Sequence, residues 1–152
     1  MKKIAIIGVG NLLQTDDGVG IWAVEELKKH NLPEYIEVVD AATDPMTVLE
    51  AMDNKDKAIV IDAFTGGNKP GTIYRCKIED LNLDDEEVNV EISLHGISFL
   101  DVMKTGRHAF NLPKEIVIIG VEPAVIETGI ELSEELSKRM PDLIKVIMEE
   151  VK

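Results

Sequence analysis

Four aspartates and one histidine stand at positions where they could do chemistry. Asp16 and Asp17 lie in GVGNLLQTDDGVG, Asp40 ends YIEVVD, Asp62 ends AIVID, and His95 sits in SLHG. Two carboxylates and an imidazole suit a borderline transition metal such as zinc or nickel, with coordination positions left open. A carboxylate can also act as general base towards an attacking water. Each residue has a plainer use as well. Asp16 or Asp17 can cap the next helix, Asp40 and Asp62 can accept from loop amides, and His95 can be a hydrogen-bonded loop residue. Gathering the carboxylates is unfavourable on its own, because one uncompensated buried charge costs roughly several kcal/mol. Such a cluster requires a cation, a proton or hydrogen-bond donors. No Ser or Cys nucleophile with an adjacent base stands out, which disfavours acyl-enzyme chemistry. Cys76 is the sole cysteine, and its alternating neighbourhood TIYRCKI reads as a strand.

The elements that must position these residues follow from the apolar pattern. Residues 3–8, 35–40, 58–62 and 115–121 are nearly continuous runs of Ile, Val and Ala, as in strands covered on both faces. Helical spacing separates them: Val19, Trp22, Ala23 and Leu27, then residues 45–52 behind Asp44 as N-cap, then residues 97–103 after His95. The last helix carries an apolar stripe of Leu136, Met140, Leu143, Ile144, Ile147, Met148 and Val151, with Ser133 as cap and a kink expected at Pro141. This alternation predicts one α/β domain over residues 1–152, a three-layer arrangement of a mostly parallel twisted sheet with helices on both faces. The connection after Asp62 is rich in Gly and Pro and too short for a parallel crossover, so residues 72–78 are expected as an antiparallel edge strand. In such a sheet, ligands collect outside the carboxyl ends of the parallel strands. That rule selects the loop after the first strand, Asp40 and Asp62.

Charge and composition exclude several classes. With 29 acidic and 16 basic residues the formal net charge is −13, a surface that repels phosphate backbones and suits a basic protein segment. Residues 79–91 carry seven acidic side chains and no basic one, either a solvated loop or a rim that steers a basic peptide. No apolar run reaches the roughly 18 residues of a membrane span, and the apolar N-terminal stretch lacks a signal-peptide cleavage pattern. A lone cysteine fits the reducing cytoplasm. Gly8-Val9-Gly10 suggests a dinucleotide loop, but the third small residue of that fingerprint is replaced by Leu13, and two adjacent carboxylates would oppose a pyrophosphate.

Taken together, several blocks resemble the hydrogenase maturation endopeptidases: Gly8–Asn11, Asp16–Gly20, Val39-Asp40, Ile61–Ala63, Ser93–His95, Gly120–Pro123, and Gly129 with Leu132-Ser133. The resemblance implies a peptidase that removes a C-terminal extension from the large-subunit precursor of a nickel-containing hydrogenase after nickel insertion. It implies that Asp17, Asp62 and His95 form the catalytic, metal-contacting trio, with Asp16 and Asp40 supporting it. Nickel is expected to arrive with the precursor rather than to reside in the protein, which is expected to act as a cytoplasmic monomer. A non-enzymatic nickel-handling chaperone using the same trio is the alternative from another class.

Overall fold

The computed structural model describes residues 2–79, 93–94 and 97–152. His95 and residues 80–91 of the acidic stretch therefore lie outside the described residues. Five strands form the main sheet: β1 (Ile4–Gly8), β2 (Ile36–Asp40), β3 (Lys57–Ala63), β4 (Ile73–Glu79) and β7 (Glu115–Val121). Their spatial order is β2-β1-β3-β7-β4. Neighbours run parallel except β4, which pairs antiparallel with β7 at the edge. The expected edge strand is thus where the short Gly/Pro connection puts it. β5 (Ser93–Leu94) and β6 (Ile97–Ser98) form a separate antiparallel ribbon.

Strand alternation divides the interior into two cores, one on each face of the sheet. Ile4, Ile6, Ile59, Ile61, Val117 and Ile119 face α1 (Val19–Leu27) and α4 (Glu134–Val151). Ala5, Ile7, Ala58, Val60, Ile116 and Ile118 face α2 (Pro45–Met52) and α3 (Phe99–Gly106). Each fully buried Leu or Ile contributes about 1.5–3 kcal/mol; the first core consists largely of such residues, and the second mixes them with Ala, Val and Met. The three-layer reading holds. Asp44 caps α2 by accepting from the Met46 N–H at 3.1 Å, and Ser133 caps α4 by accepting from the Leu136 N–H at 3.3 Å. Two expectations need correction. β2 is an edge strand with Glu37 and Asp40 exposed, so only one face of it is well covered. The helix expected from residue 97 begins at Phe99, because Ile97 and Ser98 pair with β5.

At the amino-terminal edge of the sheet, a partly buried ion cluster ties the carboxyl-terminal helix to strands from the middle of the chain. Lys57 opens β3 and contacts Glu115 at 2.9 Å and Glu150 of α4 at 3.2 Å; Glu150 also meets Arg75 at 3.3 Å and Lys77 at 3.4 Å. Burial pushes the Lys57 ammonium down, yet the hydrogen bonds and charges of Glu115 and Glu150 outweigh it and hold it above its ordinary value. The Lys57 hydrogen bond in turn holds the Glu115 carboxyl below the usual range. Stability from Lys57 is therefore present below its unfolded value and lost as pH rises through the raised one. That from Glu115 is present above its unfolded value and lost as pH falls through the lowered one. Glu150→Ala should cost about 2 kcal/mol, since Lys57 keeps Glu115 while Arg75 and Lys77 turn to water. Urea titrations across pH check both statements: a loss under about 0.5 kcal/mol, or stability that keeps rising below about pH 4, would contradict this account.

Candidate active site

The sheet changes winding direction between β1 and β3, because α1 leads from β1 outward to β2 and α2 returns the chain to β3. The crevice at this switch point is where open α/β sheets bind ligands. Two close approaches shape it. A Cβ on Gly20 would lie 2.2 Å from the Ile61 carbonyl oxygen, so the start of α1 can press against the end of β3 only without a side chain there. A Cβ on Gly10, whose φ is +153°, would lie 2.2 Å from the Asp17 carbonyl oxygen. Gly8, where a Cβ would lie 2.4 Å from the Gly20 carbonyl oxygen, and Gly10 suggested a nucleotide loop; they serve backbone packing against the start of α1 and the Asp17 turn.

Asp17 sits in a single 3-10 turn, Thr15–Gly18, that abuts β3. It is half-buried, and its carboxylate accepts from the Asn11 N–H at 3.1 Å, closing the loop that leaves β1. Asp62 lies one residue before the end of β3, 4% exposed, and accepts from the Ala63 N–H at 2.8 Å. By alternation it shares a face with Ala58 and Val60, the side covered by α2 and α3. Its partner on β7 is Gly120, and Phe64 lies over the space that glycine leaves. The turn bearing Asp17 and the strand bearing Asp62 are in direct contact. Among the described residues no three His, Cys, Asp or Glu side chains gather into a metal-holding group.

Asp16 and Asp40 differ sharply from one another. Asp16 is fully buried and accepts three backbone N–H bonds: Ala124 at 2.8 Å, Val125 at 3.1 Å and Ser133 at 2.7 Å. It does not cap α1, as its sequence position also allowed; it anchors the segment after β7 against the loop after β1. Asp40 is exposed at the end of β2 and accepts from the Ala42 N–H at 2.9 Å, a local turn. Its carboxylate borders a cleft of about 280 Å³ whose lining includes Asn11, Leu12, Leu13 and Ala42.

Sequence reasoning missed Glu122, the carboxylate just beyond the end of β7. It is 4% exposed and accepts from the Gly66 N–H at 2.9 Å, the Asn68 N–H at 2.9 Å and the Tyr74 hydroxyl at 2.6 Å. The Tyr74 bond, with these amides, holds the carboxyl below its usual range, while burial and Glu122 push the Tyr74 phenol up, so the phenol stays a donor. Glu122 thereby pins the loop that follows Asp62. The strand-end rule that selected Asp40 and Asp62 would have found it. Thr15 was missed as well: it holds φ +48°, an uncommon conformation for a β-branched residue. Its hydroxyl lies 2.8 Å from the Val125 carbonyl, to which it donates, and accepts from the Glu127 N–H at 3.1 Å.

Residues 21–150 match the family model described as hydrogenase maturation protease. The chain is 36% identical to the hydrogenase 2 maturation protease of Escherichia coli (strain K12), over 86% of this chain and 79% of that one. Among solved structures it is similar to the hydrogenase maturating endopeptidase HybD from E. coli, with TM-score 0.82, 31% identity, and coverage of 98% of this chain and 91% of that one. It is also similar to a hydrogenase 2 maturation peptidase from a Thaumarchaeota archaeon, with TM-score 0.79, 28% identity, and coverage of 99% and 98%. The chain belongs to the hydrogenase maturation protease family.

Proposed function

We propose that the protein is an endopeptidase that removes the C-terminal extension of a nickel-containing hydrogenase large-subunit precursor once nickel is in place. The observation that supports this reading is the contact of the turn bearing Asp17 with the strand bearing Asp62, beside the switch point of a chain of this family. His95 completes the trio. Two carboxylates and an imidazole supply the oxygen and nitrogen donors that nickel accepts. Nickel belongs to the precursor and is part of the substrate. Contact with the trio brings it beside the scissile carbonyl, where it acts as a Lewis acid. One carboxylate of the trio takes the proton of the attacking water, and the same proton can pass to the leaving amine. Asp16 holds the loop that carries Asp17, Glu122 holds the loop that follows Asp62, and Asp40 flanks the approach. The work takes place in the cytoplasm with the protein as a monomer, without nucleic acid or a membrane; no helix among the described residues is long and apolar enough to cross one.

Incubation with nickel-loaded and nickel-free precursor, followed by mass measurement, tests the reading. Only the loaded precursor should yield a shortened product. Equal cutting of both would refute recognition through the metal. Binding without any cutting would favour the chaperone.

A further inference from the structure

The large apolar side chains left exposed among the described residues are Leu12, Leu13, Met46, Phe64, Ile126 and Ile130. Every one of them lies in a segment that leaves the carboxyl end of a parallel strand, the end of the sheet that also carries Asp17 and Asp62. Exposed apolar groups scattered over a surface are ordinary; their concentration on one rim marks an interaction site. Leu13 and Ile130, each 61% exposed, are held by a rigid seam. Gln14 bridges Gly129, the Gly129 N–H donates to the Leu13 carbonyl at 2.9 Å, and the Thr15 N–H donates to the Gly129 carbonyl at 2.8 Å. Asp16 fixes the same two segments from below. The ridge is therefore built before any partner arrives, which lowers the entropic cost of binding.

The charges around the ridge indicate what lies on it. Residues 9–18 and 122–133 contain no Lys or Arg, while Glu127 and Glu131 are exposed beside Ile126 and Ile130, and Asp40 borders the cleft behind Leu12 and Leu13. We infer that Leu12, Leu13, Ile126 and Ile130 form a preformed docking ridge for the folded precursor, which presents to it apolar side chains flanked by Lys or Arg. The inference rests on the proposed function, because the molecule seated beside Asp17 must be the one that is cut. Docking here would hold the precursor's metal site over the crevice independently of the extension that is removed.

The test measures binding and cleavage separately, with the full-length protein and nickel-loaded precursor. Leu13→Glu and Ile130→Glu should each weaken precursor binding about tenfold or more, as for the central residues of protein interfaces. Cleavage at saturating precursor should stay within about twofold of the parent, because neither residue touches the reacting atoms. Glu127→Lys combined with Glu131→Lys should weaken binding mainly at low salt. Circular dichroism and thermal melts confirm the fold, which these exposed positions should leave unchanged. Unaltered binding in both apolar variants would overturn the ridge, even where cleavage proceeds. Failure of the parent to bind precursor would overturn it too, as would a dimer in sedimentation that Leu13→Glu dissociates, since a second copy would then occupy the ridge. Binding that follows the ridge variants without any cleavage would support docking and refute the peptidase reading instead.

Discussion

Asp62→Asn should reduce processing of the loaded precursor by a factor of about a thousand while leaving the protein folded. The side chain keeps its size and its oxygen acceptor for the Ala63 N–H, so stability should change by no more than about 1 kcal/mol. What it loses is the negative charge and the ability to take a proton. A positioned general base contributes roughly 10²–10⁴ in rate, and loss of a donor to the precursor's metal acts in the same direction. Asp17→Asn should behave alike, because the amide oxygen still accepts from the Asn11 N–H. His95→Ala should also be inactive. Cys76→Ser is the control: the thiol sits half-buried on β4, away from the switch point, and processing should be unaffected. The readout is the rate of product formation by mass, with denaturant melts alongside. Substantial activity in any of the trio variants would remove that residue from the mechanism.

Much of the fold was legible because its determinants are local. The buried strands are continuous apolar runs, and β4 could be placed at an edge because the connection before it leaves no room for a crossover helix. Asp44-Pro45 and Ser133 announced their helices through capping chemistry that involves only neighbouring residues. The start of α3 was misjudged for the complementary reason. Ile97 fits a helical spacing, and only its pairing with Leu94 shows that it belongs to a ribbon. Glu150 illustrates the limit more clearly. On α4 it looks like one of several solvated acids, yet its partner Lys57 lies 93 residues away and buries it. The places of Asp17 and Asp62, in the turn after β1 and at the end of β3, were legible because strand ends are predictable. What distinguishes Asp16 from Asp17 is not in their spacing. It lies in amides more than a hundred residues downstream, which claim the Asp16 carboxylate, while Asp17 accepts from Asn11 in its own loop.

That division of labour gives Asp16 a structural role, and Asp16→Ala should destabilise the protein by about 3–5 kcal/mol. The carboxylate is fully buried and satisfies the N–H groups of Ala124, Val125 and Ser133. A charge-assisted hydrogen bond contributes roughly 1.5–3 kcal/mol, and each buried donor left unpaired costs about 1–3 kcal/mol. These terms are not additive, because the loosened loop would admit water, which is why the expected loss is below their sum. Against a typical total of about 5–15 kcal/mol, the loss is a large fraction. Asp16→Asn should fall between parent and alanine: its one carbonyl oxygen can serve the pair Ala124 and Val125, but its amino group would face the Ser133 N–H. The seam between Gln14 and Gly129 should loosen with it, so processing should fall even at temperatures where the variant remains folded. Urea denaturation of the three proteins measures the ranking directly. Equal stability of parent and Asp16→Ala would mean that water replaces the carboxylate without cost. The loop after β7 would then have to be held by Thr15 and the backbone alone.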